Sequence, residues 1–73
     1  MQDTKAILIR LGMNIRSERI RQGFSQEQLA EKAGLHRTYI GMVERGEKNI
    51  TVINYARIAT ALNMSLKNLM AKT

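Results

Sequence analysis

The chain has 73 residues, 44% of them apolar, enough for one small domain over residues 1–73 with a modest core and nothing larger. It contains no cysteine and a single histidine, His36, which excludes disulfide scaffolding, thiolate zinc sites and a cysteine nucleophile. Twelve Lys and Arg against six acids give a net charge of +6 and a pI near 10.4, a balance suited to a polyanionic partner such as nucleic acid.

Residues 4–22 form a long amphipathic pattern with Ile7, Leu8, Leu11, Ile15 and Ile20 near one side and Gly23 as its stop. Ser25 with Gln28 three residues on reads as a capping box, in which each side chain satisfies the other's backbone NH. Leu29, Ala30 and Ala33 then recur at helical spacing, and Gly34 supplies the left-handed position that ends a helix over roughly Gln26 to Ala33. After Leu35 and His36 a second apolar series, Ile40 and Val43, continues until Gly46, leaving Arg37, Thr38, Gly41 and Met42 on other faces. Thr51 caps a segment with Val52, Ala56, Ala59 and Leu62 at helical spacing, and Ser65 caps a last turn with Leu66, Leu69 and Met70. No alternating apolar run, repeat or low-complexity stretch occurs, so an all-α fold of five helices is expected. No apolar run reaches the roughly 18 residues of a membrane span. No charged-then-apolar leader is visible either, which makes the cytoplasm the expected location.

Two short helices joined by a tight glycine turn match a helix-turn-helix, whose second member lies in a DNA major groove with its first turn closest to the base edges. Arg37 is therefore the leading base-contact residue, since its planar fork can donate twice to guanine, a contact worth roughly 1 to 3 kcal/mol against the wrong base. The alternative for Arg37 is a phosphate contact or a solvated side chain. Thr38 can offer a hydroxyl to phosphate or a methyl to thymine, and Met42 and Gly41 face the same way. Tyr39 can pack its ring against the preceding helix while its hydroxyl reaches the DNA backbone. Missing a side chain, Gly41 permits close approach to DNA or to a neighbouring helix. Gln26 and the amides beginning the second helix suit a phosphate, with Ser25 beside them as cap, and Arg16, Arg45, Lys48 and Asn49 are further backbone candidates. There are no paired carboxylates, Ser/His/Asp set, metal cluster, phosphate loop or dinucleotide glycine pattern, which argues against an enzyme; no cofactor, metal or small-molecule ligand is expected.

Through Ile15, Arg19, Gly23, Ser25-Gln26, Leu29-Ala30, Ala33-Gly34, Glu44-Arg45-Gly46 and Ala61-Leu62 the chain resembles the phage-repressor (Cro and repressor) type of helix-turn-helix family over about residues 8–70. The stretch from His36 to Thr51 looks most like the small controller proteins of restriction-modification systems. The resemblance implies a lambda-repressor-like homodimer on a palindromic operator, activating and then repressing its own gene and an endonuclease gene. Double-stranded DNA, a second copy and RNA polymerase are the implied partners. It further implies that Gln26 holds the DNA backbone and that Arg19 and Glu44 form a structural pair tying the first helix to the end of the third. Two residues depart from the family pattern: Ile50 stands where many members have Pro, and His36 where many have Ser or Thr. His36 can accept through a neutral ring nitrogen, an acceptor lost on protonation, which predicts a weak pH sensitivity at the start of the third helix.

Ile53, Tyr55, Leu62, Met64, Leu66, Leu69 and Met70 exceed what a four-helix core of this size needs to bury. A dimer seam is expected among Ile53, Tyr55, Met64, Leu66, Leu69 and Met70, because one short helix reads only a few base pairs and a two-fold dimer sets two such helices about 34 Å apart. The alternative is that the last helix merely covers the monomer core. Other functional classes are an antitoxin or adaptor binding a protein through the apolar C-terminal third, a phage-type repressor, and nonspecific DNA compaction.

Overall fold

A computed structural model describes residues 3–72 and contains five helices: α1 (Thr4–Arg21), α2 (Gln26–Ala33), α3 (Arg37–Glu44), α4 (Val52–Ala61) and α5 (Leu66–Ala71). The all-helical, five-helix expectation holds. Four helices begin on a side-chain cap: Asp3 accepts from the Lys5 amide, Thr51 from Asn54, Ser65 from Asn68, and Ser25 with Gln28 forms the reciprocal box. α3 is the exception. His36 occupies its cap position in extended backbone, but its side chain makes no cap hydrogen bond, contrary to the expected imidazole acceptor. Protonating His36 therefore removes no such bond, and the expected pH sensitivity at this helix start loses its basis.

α1 departs most from its expected packing. Its buried residues are Gly12, Asn14, Ile15 and Glu18, while Ile7 and Ile20, expected inward, are 40% and 55% exposed. At about 100° per residue Ile20 lies about 140° round the helix from Ile15, too far to share one core face. The polar residues drawn inward instead all find partners. Asn14 Nδ2 donates to the carbonyls of Leu69 (3.1 Å) and Met70 (3.3 Å), holding α5 against α1, and Gln22 Nε2 donates to Leu62 O (2.8 Å). Among the described residues no buried side-chain polar atom lacks a partner.

The Glu18 carboxylate accepts from Arg21 and from Gln22 and lies 3.5 Å from Lys72 Nζ. The Arg21 and Gln22 hydrogen bonds pull its pKa from 4.5 down to about 2. Because the folded value lies below the unfolded one, this contribution is present above pH 4.5 and is lost as pH falls toward 2. The melting temperature should fall across that window, and a Glu18→Gln variant should fall less steeply; parallel melting curves would count against the assignment.

The core joins Ile15, Leu29, Ile40, Val43, Tyr55, Ile58, Leu62 and Leu69. Tyr55 and Leu69 are 2% and 0% exposed, so neither lines a surface seam, correcting their assignment to a dimer interface. The Tyr55 hydroxyl donates to Leu11 O at 3.0 Å, which lets the whole ring sit inside. Leu62 is equally buried, Met64 and Leu66 pack half-buried against the core, and Ile53 and Met70 remain exposed.

Candidate nucleic-acid interface

α3 is held from two directions. Ile40 and Val43 are buried in the core shared with Leu29 and Ala30 of α2, and α1 crosses the C-terminal end of α3 at Gly12. Next to that crossing Arg19 Nε donates to Glu44 Oε2 (2.7 Å), Nη2 to Oε1 (3.1 Å), and Nη1 to Phe24 O (2.8 Å). A bidentate pair with side-chain exposures of 11% and 2% fixes the angle between α1 and α3.

Gln26, expected at a phosphate, also turns toward this pair: its Nε2 donates to Glu44 Oε1 at 3.0 Å. One carboxylate thus organises three elements, a link between α2 and α3 that the sequence reading missed. The available signal was the carboxylate's capacity, since a bidentate arginine leaves lone pairs for a further donor. Arg16, Gln26, Glu44 and Arg45 together line a cleft of about 340 Å³, so four residues from three helices and the turn after α3 converge at one mouth. The Ser25 hydroxyl oxygen is engaged by the Gln28 amide at 3.0 Å, leaving its proton free to donate outward.

On the outer side of α3, Arg37 and Thr38 are exposed in the first turn, Met42 is half-buried and Gly41 is buried. Arg37 Nη1 lies 3.3 Å from Glu27 Oε2, with side chains 71% and 74% exposed. A solvent-exposed pair of this kind contributes little and does not hold Arg37 from another acceptor. Tyr39 packs half-buried, its hydroxyl accepting from Asn54 Nδ2 at 3.1 Å, a tie to α4 absent from the sequence reading. Arg45 pairs with Glu47 at 2.9 Å in the open, and Lys48 and Asn49 are exposed in the loop before α4.

A Cβ on Gly41 would lie 3.2 Å from Arg45 Nη1 and 3.4 Å from Gln26 Oε1, both the far ends of flexible side chains. The compensation for a helix-interior glycine is therefore room for these two side chains. Gly41→Ala should raise stability by up to about 1 kcal/mol, read from denaturant unfolding, because the neighbours can yield while the helix gains. A loss of stability would mean that Gln26 and Arg45 are held more firmly than their positions imply.

Comparison with known proteins agrees with this geometry. A helix-turn-helix family model matches residues 15–69. The chain is 52% identical over 62 residues to control protein C.SmaI of Serratia marcescens, covering 85% of this chain and 74% of that one. To control protein C.BamHI of Bacillus amyloliquefaciens it is 38% identical over 68 residues, covering 92% and 84%. The crystal structure of the restriction-modification controller protein C.AhdI from Aeromonas hydrophila superimposes with a TM-score of 0.85 at 42% identity, covering 88% of this chain and 97% of that one. The fold and its exposed α3 define a helix-turn-helix DNA-binding regulator. The chain belongs to the helix-turn-helix family and, within it, is similar to the small control proteins of restriction-modification systems.

Proposed function

We propose that the protein is a sequence-specific transcription regulator that acts in the cytoplasm as a homodimer on a palindromic operator, controlling its own gene and that of a restriction endonuclease. The observation that carries this reading is the first turn of α3, where Arg37 and Thr38 stand exposed on a helix whose opposite side is locked by Ile40, Val43 and the Arg19–Glu44 pair. Arg37 would read a guanine edge, with Thr38 and Met42 lining the groove. Gln26, Ser25, Arg16, Arg45, Lys48 and Asn49, with the Tyr39 hydroxyl, would seat the phosphates and set the register. Such contacts release counterions, so affinity should fall steeply with salt. The exposed Ile53 and Met70, flanked by Met64 and Leu66, are the proposed seam; burial of Tyr55 and Leu69 takes two residues from it and equally from the protein-adaptor reading.

Selection from a randomised duplex pool should enrich a palindrome with half-sites roughly one helical turn apart. Arg37→Ala should then lower preference for that site by about tenfold or more with an unchanged melting temperature, since its side chain is 71% exposed. Retention of DNA without enrichment would favour compaction, and an Arg37→Ala protein with full site preference would remove Arg37 from base readout.

A further inference from the structure

α1 carries apolar residues on two sides. Its inner side meets the core, α3 and α5, yet Ala6, Ile9, Met13 and Ile20 remain exposed, Met13 at 60% and Ile20 at 55%. At about 100° per residue these four fall within a strip about 60° wide, running about 20 Å along the helix and lying round from the Gly12 and Arg19 edge that meets α3. Two depressions open along it. One of about 420 Å³ lies among Ala6, Ile9, Arg10, Met13 and Asn14, reaching from the strip toward the α5 side, and one of about 170 Å³ among Met13, Arg16, Ser17 and Ile20.

The rim of the strip is basic on both edges, with Lys5 and Arg16 on one and Arg10 on the other, where Arg21 follows but is tied to Glu18. Of the acidic residues of α1 and its cap, Asp3 sits at the N-cap and Glu18 is buried on the far side, where it engages Arg21 alone of the rim. Arg10 and Arg16 have no carboxylate partner among the described residues. We infer that this face is a docking surface for a second protein, one that presents an amphipathic helix with two apolar anchors about seven residues apart and acidic residues on its flanks. The basic rim selects the acidic flanks, and the two depressions set the anchor spacing.

A second copy of this chain fits poorly, because a two-fold antiparallel pairing centred on Met13 sets Arg10 against Arg16 of the copy. A membrane surface calls for a broader apolar face, and the strip has no aromatic residue to seat at a lipid interface.

The test uses two fluorescent helical peptides as probes, each with leucines seven residues apart, one flanked by Glu and the other by Lys. Fluorescence anisotropy should show the Glu peptide binding the wild-type protein about tenfold or more tightly than the Lys peptide, and about tenfold or more tightly than it binds Met13→Glu. The Met13→Glu protein should keep its melting temperature, since Met13 is 60% exposed. Failure of the Glu peptide to bind, or equal binding of both peptides or of both proteins, overturns the assignment. A wild-type sedimenting mass that drops in Met13→Glu would make the strip an interface between copies. Met13-dependent flotation with phosphatidylglycerol vesicles, without peptide binding, would make it a membrane contact. Either result also overturns it.

Discussion

Gly12→Ala should lower the melting temperature by about 12 °C or more, corresponding to a loss of about 3 kcal/mol in a domain of this size. A Cβ at this position would lie 2.8 Å from the Glu44 carbonyl oxygen and closer still to that of Val43. Both obstacles are backbone, so no rotamer change relieves the clash; α1 must move away from the end of α3. Val43 O also accepts from the Gly46 amide at 3.0 Å, so the displacement would strain the turn that closes α3. The helix-propensity gain of about 1 kcal/mol offsets only part of the cost. The comparison with Gly41→Ala is the sharpest check, because the same substitution in a helix interior is expected to act with opposite sign. A Gly12→Ala protein melting within a few degrees of wild type would show that α1 and α3 do not approach this closely.

Glu44→Ala should cost about 3 to 5 kcal/mol, because it strands the Arg19 guanidinium in a site only 11% exposed. Total stability for a chain of this length is about 4 to 11 kcal/mol, so urea unfolding should detect a large shift of midpoint or a protein already unfolded without denaturant. Replacing both partners, Arg19→Met with Glu44→Leu, should recover much of that loss, since no unpaired charge remains. DNA affinity should not recover with it. In the double variant Gln26 Nε2 has lost its acceptor, and the side chain proposed to seat a phosphate is no longer oriented. If Glu44→Ala unfolds at the wild-type urea concentration, the pair is not what joins α1 to α3.

The parts of the fold legible in the sequence are those set by local chemistry. Ser25, Thr51 and Ser65 each bond an amide three residues on, and Gly23, Gly34 and Gly46 adopt positive φ at the turns after α1, α2 and α3. Neither feature needs knowledge of what lies across the core. The rotational setting of α1 was not legible, because apolar residues occur on both its sides and the pattern does not say which side faces inward. Its true inner face includes Asn14 and Glu18, tolerated there only because α5, Arg21 and Gln22 supply partners. The same limit applies to Gln26: its exposure to a phosphate can be argued from position, but its bond to Glu44 links residues that only the folded chain brings together. His36 shows the converse, a cap position correctly placed whose side chain does not perform the bond its chemistry allows.

Tyr55 gives the core a spectroscopic handle. The chain has no tryptophan and only two tyrosines, and burial pushes the Tyr55 phenol from 10.0 up to about 12. Its folded pKa lies above the unfolded one, so the neutral ring supports the native state below pH 10 and this support fades as pH rises through 12. Between those limits phenolate absorbance from Tyr55 marks molecules whose interior has opened. In a Tyr39→Phe background the chromophore joining α4 to the Leu11 carbonyl becomes an optical count of open cores, without any added label.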